Sequence, residues 1–235
     1  MVSPLRRAEG AHEVLDGAVA APERAASLAD IDRLNSWFGG YALSLRAIRR
    51  LAAEVPRDRP LCIIDVGGGT GALAVRVARW ARRDGRNLRV VVVDRDPTTL
   101  GLARQAAAGY PEILLVRGDA AALPCRERAV DIVTSALTLH HLEPAQATVG
   151  LREMTAAARV GVVVNDLLRR RLSLGLVWLV TRLLGCHPIS RHDGPLSVRR
   201  SYSRDELRAL AEQAGARRLT IHEYPVLGRL LAVLS

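Results

Sequence analysis

Ile63-Ile64-Asp65-Val66-Gly67-Gly68-Gly69-Thr70-Gly71 decides the fold. A short apolar run, Leu61–Val66, ends in a glycine-rich turn, and an amphipathic stretch, Gly71–Arg83, follows with Leu73, Val75, Val77 and Trp80 as its apolar positions. The first reads as a strand and the second as a helix. Glycine tolerates positive φ and has no side chain, so a turn of this composition lets backbone approach a ligand closely. The spacing Gly67-x-Gly69-x-Gly71, with an acid two residues before Gly67, is not the GxGxxG of dinucleotide folds.

Outward from this turn the alternation continues. Leu88–Val93, Ile113–Arg117, Ala129–Ser135 and Val160–Val164 read as strands, with helices from Pro97-Thr98-Thr99 and over Ala145–Ala158. The unbroken apolar runs Val90–Val93 and Val160–Val164 suit strands covered on both faces. Such succession implies a parallel sheet with right-handed crossovers. Beyond Asn165, Leu167–Gly185 reads as one or two helices and Cys186–Arg200, with two prolines, as a loop. Ser203 and Glu206 form a capping box for a helix ended by Gly215. Arg218–Tyr224 and Leu227–Leu234 read as closing strands, the alternative for the second being a membrane-facing tail.

Before Leu61 the pattern is helical. Ser27 and Asp30 stand at capping-box spacing ahead of Leu28, Ile31, Leu34, Trp37 and Phe38, and Gly39–Gly40 separates this from a second helix through Leu43, Leu45, Ile48 and Leu51. The expected fold is an α/β, Rossmann-like, doubly wound seven-stranded sheet with a helical N-terminal segment and a helical lid insertion. Residues 1–56 form the cap and 57–235 the main domain, with the lid at about 167–202.

Composition narrows the function. The 235 residues are 49% apolar, which excludes a disordered chain. The net charge is +10, but all 34 basic residues are arginines spread from Arg6 to Arg229, and aromatics are 3%, so no nucleic-acid partner is expected. Cys62, Cys125 and Cys186 are odd in number and contain no CxxC, which fits a reducing cytoplasm rather than disulfides or zinc. Glu13, Asp16 and Glu23 interrupt the apolar stretch near Val14–Ala21, so no signal peptide is expected. Leu172–Leu184, cut by Arg182, falls short of the roughly 20 residues of a membrane span.

Asp65-Val66-Gly67-Gly68-Gly69-Thr70-Gly71 resembles motif I of the class I S-adenosylmethionine-dependent methyltransferases. Three further segments stand in the family's order. Val91-Val92-Val93-Asp94-Arg95-Asp96 resembles the segment whose acid accepts the ribose hydroxyls, and Val116-Arg117-Gly118-Asp119-Ala120 the one whose acid meets the adenine. Asp131 to Ser135, with Leu139-His140-His141-Leu142 beyond, resembles the fourth-strand motif. The resemblance implies S-adenosylmethionine as cofactor, bound by Asp65, Gly67, Gly69, Asp94, Arg95, Asp119, Ala120 and Ser135. Asp119 has an alternative role as a turn-capping acid, and Asp131, at a strand's start, stays off the site.

The acceptor is less defined. The Asn/Asp-Pro-Pro-Tyr/Phe element of amine and amide methylation is absent after the fourth strand, and the small-molecule, ubiquinone/menaquinone-type branch is more similar. Metal-dependent members of that branch carry Glu-x-x-Glu-His where this chain has Leu137, His140 and His141, so no metal is expected. Trp37-Phe38-Gly39-Gly40 and Arg191-His192-Asp193-Gly194 resemble segments of bacterial small-molecule methyltransferases. His192 is the first candidate for the base and His141 the second, with His140, Asp166 and Asp193 facing the acceptor. A solvated loop at His192 and helix capping by Asp166 are the structural alternatives. The apolar segment Arg169–Leu184 reads as a lid over the acceptor, a membrane-surface helix or plain core. The expected activity is methyl transfer to an oxygen of a small lipophilic phenol, quinone or polyketide. The rivals are nitrogen or carbon transfer and a non-catalytic cofactor- or RNA-binding role; oligomeric state is left open.

Overall fold

The computed structural model describes residues 5–235. Five parallel strands, β1 (Leu61–Val66), β2 (Leu88–Asp94), β3 (Ile113–Arg117), β4 (Val130–Ala136) and β5 (Ala158–Leu167), are joined by β7 (Arg229–Leu234), antiparallel to both β5 and β6 (Leu219–Tyr224). The order is β3-β2-β1-β4-β5-β7-β6, the doubly wound seven-stranded arrangement expected. Because β1 pairs with both β2 and β4, the chain reverses direction across the sheet there and leaves a crevice at the strands' C-terminal ends.

The apolar runs are buried on both faces. Ile63, Val90, Val92 and Ile132 pack with α2 (Gly40–Ala52) and α3 (Ala72–Arg83). Ile64, Val66, Val93 and Val133 face α5 (Pro144–Ala157) and α8 (Arg204–Gln213) instead. α4 (Pro97–Ala106) begins at Asp96, whose side chain accepts from Thr99 N at 2.7 Å. Within the segment set apart as a cap, Tyr41, Ile48, Leu51 and Val55 share a core with β1; residues 1–4 lie outside the described part.

Several expectations are corrected. Cys186–Arg200 is not a loop: α7 spans Pro188–Arg200, with Pro195 inside it. Its buried positions are Ser190, Asp193, Ser197, Val198 and Arg200, a stripe at helical spacing that is mostly polar and therefore gave no apolar periodicity. Ser27 and Asp30 cap nothing, because α1 (Ala21–Trp37) begins six residues earlier with Pro22 in its first turn. Instead Ser27 Oγ lies 2.9 Å from Ser190 Oγ, and Asp30 Oδ2 accepts from His187 N at 2.6 Å. Residues 5–20 are not helical apart from one 3-10 turn, Val14–Asp16. The tail alternative for Leu227–Leu234 falls away, since β7 is core. The lid segment forms two helices, α6 (Arg171–Leu183) and α7.

Asp131 is buried at the start of β4, far from the crevice. Its carboxylate accepts from Cys62 N at 2.9 Å and from Arg59 at 2.7 and 2.9 Å. Burial raises its pKa, but the Arg59 bonds and the Cys62 amide outweigh this and hold it below the ordinary value. Asp131→Ala is expected to cost roughly 1–3 kcal/mol at neutral pH, because Cys62 N–H is left unsatisfied. The contribution is present above the unfolded carboxylate value and declines as pH falls through the lower folded one, so the gap between wild type and variant should close in acid. Urea midpoints at neutral and acid pH measure this; equal midpoints at neutral pH would refute it.

Candidate functional site

A cavity of about 390 Å³ opens at the C-terminal ends of β1 to β4, beneath α1, α7 and the Val14–Asp16 turn. The glycine turn lines it. Gly67, Gly69 and Gly71 have φ of +65°, +56° and +73°. A methyl group at Gly67 would overlap the Thr138 side chain, and one at Gly68 would lie 2.7 Å from Val92 Cγ1. A methyl at Gly69 meets nothing within 4 Å. Gly67 and Gly68 therefore line the cavity with no room for a side chain, whereas Gly69 leaves open space there.

The acids converge here. Asp94 Oδ2 accepts from Gly69 N at 3.1 Å and Oδ1 from Asp96 N at 3.0 Å, and burial holds its pKa above the ordinary value. Asp65 is wholly buried, both its oxygens lack a partner within the chain, and burial with the nearby Asp94 charge raises its pKa to about 7. Asp119 accepts from Ala121 N at 2.7 Å, the turn-capping role, yet it lines the cavity together with Ala120 and Arg95. Ser135 is buried and absent from the cavity wall. From α1, Asp32 accepts from Thr70 Oγ1 and from the Tyr41 hydroxyl, tying the cap to the turn.

The same cavity is lined by a buried polar cluster, joined to the strand-tip acids by the ion pair of Asp16 with Arg95 at 3.3 Å. His140 Nδ1 lies 2.6 Å from Asp166 Oδ1, and Asp166 also accepts from His140 N and Leu167 N, at 3.0 and 2.8 Å. Burial raises the Asp166 pKa, but the charge and hydrogen bond of His140 overcome it and the carboxyl sits below its ordinary value. His141 Nδ1 lies 2.8 Å from Asp16 Oδ1, and Arg200 Nη1 donates to Asp16 Oδ2 at 2.7 Å. These bonds outweigh burial and hold Asp16 well below the carboxylate range. Both imidazoles turn Nε2 toward Glu13, at 3.5 Å from His140 and 3.9 Å from His141. Burial lifts the Glu13 pKa to about 7 against the charges of His141 and Arg200.

Glu13, His140 and His141 bring ligating atoms within 4.8 Å of one another. Arg200 Nη1, 3.6 Å from Glu13 Oε1, already puts a positive charge at this point.

Of the residues expected at the acceptor, His140, His141 and Asp166 are brought together. His192 is not: its side chain is 61% exposed, bonds to Asp193 at 2.8 Å and lies off the cavity wall, because the helical turn of α7 that buries Asp193 points His192 outward. Asp193 instead accepts from Val14 N and Leu15 N, at 2.9 and 3.0 Å, and so bolts down the turn carrying Glu13 and Asp16. Sequence reasoning missed Glu13, Asp16, Arg200 and Asp32, none of which belongs to a motif. It also missed Arg229, buried on the cavity wall, which donates to Asn35 Oδ1 at 2.6 Å while its Nε and Nη1 have no partner.

Residues 63–161 match the family described as methyltransferase domain. The chain is 34% identical over 169 residues to demethylmenaquinone methyltransferase of Roseiflexus castenholzii, covering 65% of this chain and 66% of that one. It is 32% identical over 127 residues to the ubiquinone/menaquinone biosynthesis C-methyltransferase of Bradyrhizobium diazoefficiens, covering 52% of this chain but only 48% of the relative. Among solved structures, the CMeT domain of the citrinin polyketide synthase superposes with a TM-score of 0.63 at 14% identity, over 80% of this chain and 49% of that one. This last likeness concerns the fold alone.

The glycine geometry separates two kinds of position. Gly67→Ala, which combines a left-handed φ with overlap on Thr138, is expected to cost roughly 2–4 kcal/mol. Gly69→Ala, with a similar φ but open space, should cost about 1 kcal/mol. Urea unfolding of both variants checks this, and equal losses would contradict the packing role of Gly67.

Proposed function

We propose that this chain, which carries a class I S-adenosylmethionine-dependent methyltransferase domain, transfers a methyl group to the hydroxyl oxygen of a small, largely apolar phenol-like acceptor. One observation supports this above the others. A buried carboxylate poised near neutrality, Glu13, sits between two carboxylate-backed imidazoles on the wall of the same cavity as the glycine turn.

The residues at the turn fit the cofactor. Asp65 is buried without a partner, Gly69 leaves a cradle that a side chain would fill, and Asp94 stands at the strand tip where an acid can meet ribose hydroxyls. Asp119, Ala120 and Arg95 complete this wall, whereas Ser135, behind it, acts through packing. S-adenosylmethionine, when bound, supplies a sulfonium-activated methyl group. What remains for the protein is to hold the acceptor and take its proton.

Glu13 takes the proton from the acceptor hydroxyl, directly or through His141. Asp166 and Asp16 fix the Nδ1 protons of His140 and His141, so each Nε2 is directed at Glu13 and can share the proton it collects. Leu15, Leu28, Ile31, Leu137 and Val177 make the wall apolar. Arg229 has donors to spare for a second acceptor oxygen, such as a quinone-like carbonyl. No resident metal is part of this reading; Arg200 places a positive charge beside Glu13 and Asp16.

A second reading has support from the relatives, two of which are named for quinone synthesis and one of these for carbon transfer. A phenolate carries charge on ring carbons as well as oxygen, so the same deprotonation serves either outcome, and acceptor orientation selects. The position of a labelled methyl group by NMR, after incubation with a panel of phenols, decides the matter. A methoxy product supports oxygen transfer, a ring methyl supports the second reading, and no turnover on any phenol sinks both.

Two variants test the parts separately. Asp94→Ala should weaken S-adenosylmethionine binding by about 1.5–3 kcal/mol, the scale of lost charged hydrogen bonds; unchanged affinity by calorimetry would remove Asp94 from the cofactor site. Glu13→Gln should leave that affinity intact but lower kcat by roughly 10²–10⁴. In the wild type kcat should rise with pH through about 7, as Glu13 loses its proton, and this inflection should vanish in the variant. Linkage gives a matching sign for stability. A raised acid pKa means that the folded state binds more protons, so stability falls as pH rises from the ordinary carboxylate value toward 7, and Glu13→Gln should flatten that decline.

A further inference from the structure

Helix α6 is apolar on its outward side as well as its inward one. Leu172, Leu176, Leu179 and Leu183 follow one another at steps of four, three and four, which places them on one face. They are 58%, 36%, 44% and 74% exposed. The buried positions of the same helix are Ser173 and Thr181. Thr181 and Val177 line the cavity, and Val177 also packs close to Gly194 of α7. The inward side thus carries Ser173 and Thr181 among the half-buried Leu174, Val177 and Val180, and Leu172, Leu176, Leu179 and Leu183 face outward.

The stripe has apolar neighbours. Gly228, at the end of the turn Pro225–Leu227, approaches Ser173 at the start of α6, and Leu227 approaches Gly39 in the turn after α1. Val226, Trp37 and Phe38, all exposed, sit on these two turns. At its far end α6 is tied to α1 again, through Arg33 and the Leu184 carbonyl, 3.4 Å apart.

The segment carrying the stripe has a basic excess, although Arg169 and Arg170 are paired with Glu206 and Glu223. Between Leu167 and His192 there are five arginines (Arg169, Arg170, Arg171, Arg182 and Arg191) and no Asp or Glu. Arg170 and Arg171 stand at the helix start, and Arg182 near its end lies 4.3 Å from the centroid of the exposed Trp178 ring. Leucines flanked by arginines and a tryptophan match the layers of an anionic bilayer, where apolar side chains enter the acyl boundary and guanidinium groups stay with the phosphates. A second copy of the chain fits less well, since face-to-face stripes would bring the arginines of both copies together.

We propose that the outward face of α6, with Trp37, Phe38 and Val226 beside it, docks on an anionic lipid surface. Because Val177 and Thr181 on the inner side line the cavity, the acceptor chamber then lies one helix diameter, about 10 Å, from the lipid. A lipophilic acceptor partitioned in the bilayer would reach it without crossing water. That last step rests on the function proposed above, whereas the docking does not.

Vesicle flotation tests it with the full chain, on phosphatidylcholine alone and on phosphatidylcholine containing phosphatidylglycerol. Binding is expected on the anionic vesicles, weakened by salt. The double variant L176E/L179E should lose at least about tenfold in partitioning, from the transfer energy of two leucines. Both positions are exposed and off the cavity wall, so S-adenosylmethionine affinity and turnover of a water-soluble phenol should match the wild type. Those assays read the proposed chemistry independently, so either proposal can fail alone. No binding to anionic vesicles, or equal binding by the variant, overturns the docking. So does a wild-type dimer in lipid-free solution that L176E/L179E dissociates, which would assign the stripe to a second copy.

Discussion

A buried guanidinium holds the cap to the sheet. Arg200 is only 1% exposed, and its Nη1 bonds Asp16 while its Nη2 donates to the His141 carbonyl at 2.9 Å. Three stretches far apart in the chain meet there: the turn before α1, the tip of β4 and the end of α7. Burying a guanidinium carries a desolvation penalty of several kcal/mol unless its partners are charged and well placed. Here Asp16 supplies that charge, with Glu13 Oε1 3.6 Å away, and Asp16 also holds the His141 imidazole. The acceptor wall of the cavity exists only while this junction is closed, because Glu13 belongs to the turn that Asp16 anchors.

That junction explains which parts of the fold were legible. The strands could be read because parallel strands covered on both faces must be continuously apolar, and β1 and β3 fall on the residues expected. α8 was equally plain, since its capping box is an intramolecular bond visible in Ser203 and Glu206 alone. The cap was not. α1 buries Arg24, Ser27, Asp30 and Asn35, and α7 buries a mostly polar stripe, so the usual periodicity is reversed in the helices that enclose the cavity. Their partners include one another and the turn Val14–Asp16, which no local pattern can reveal.

The candidate site divides the same way. Its glycine turn and strand-tip acids are local features, set by backbone conformation, and they stood in the sequence at the right spacing. Even so, spacing did not separate Gly67, held by Thr138, from Gly69, open to the cavity. Glu13 and Asp16 entered the reading only as charges interrupting an apolar stretch. His192 and Asp193 are both expected at the acceptor when Cys186–Arg200 is read as a loop, but in a helix neighbouring side chains stand about 100° apart. Asp193 points inward to two backbone amides, and His192 therefore points out.

The cavity-lining helices also account for the outer surface. In α6 the inward side is given to Ser173, Val177 and Thr181, small groups that let α7 and the cavity come close, so Leu172, Leu176, Leu179 and Leu183 are left to solvent. Burying a leucine stabilises by about 1.5–3 kcal/mol relative to full exposure, and with 36% to 74% of each side chain exposed roughly half of that is forgone at each position. The stripe follows from what the inner face must hold. The cavity wall and the exposed leucines are thus two sides of one constraint.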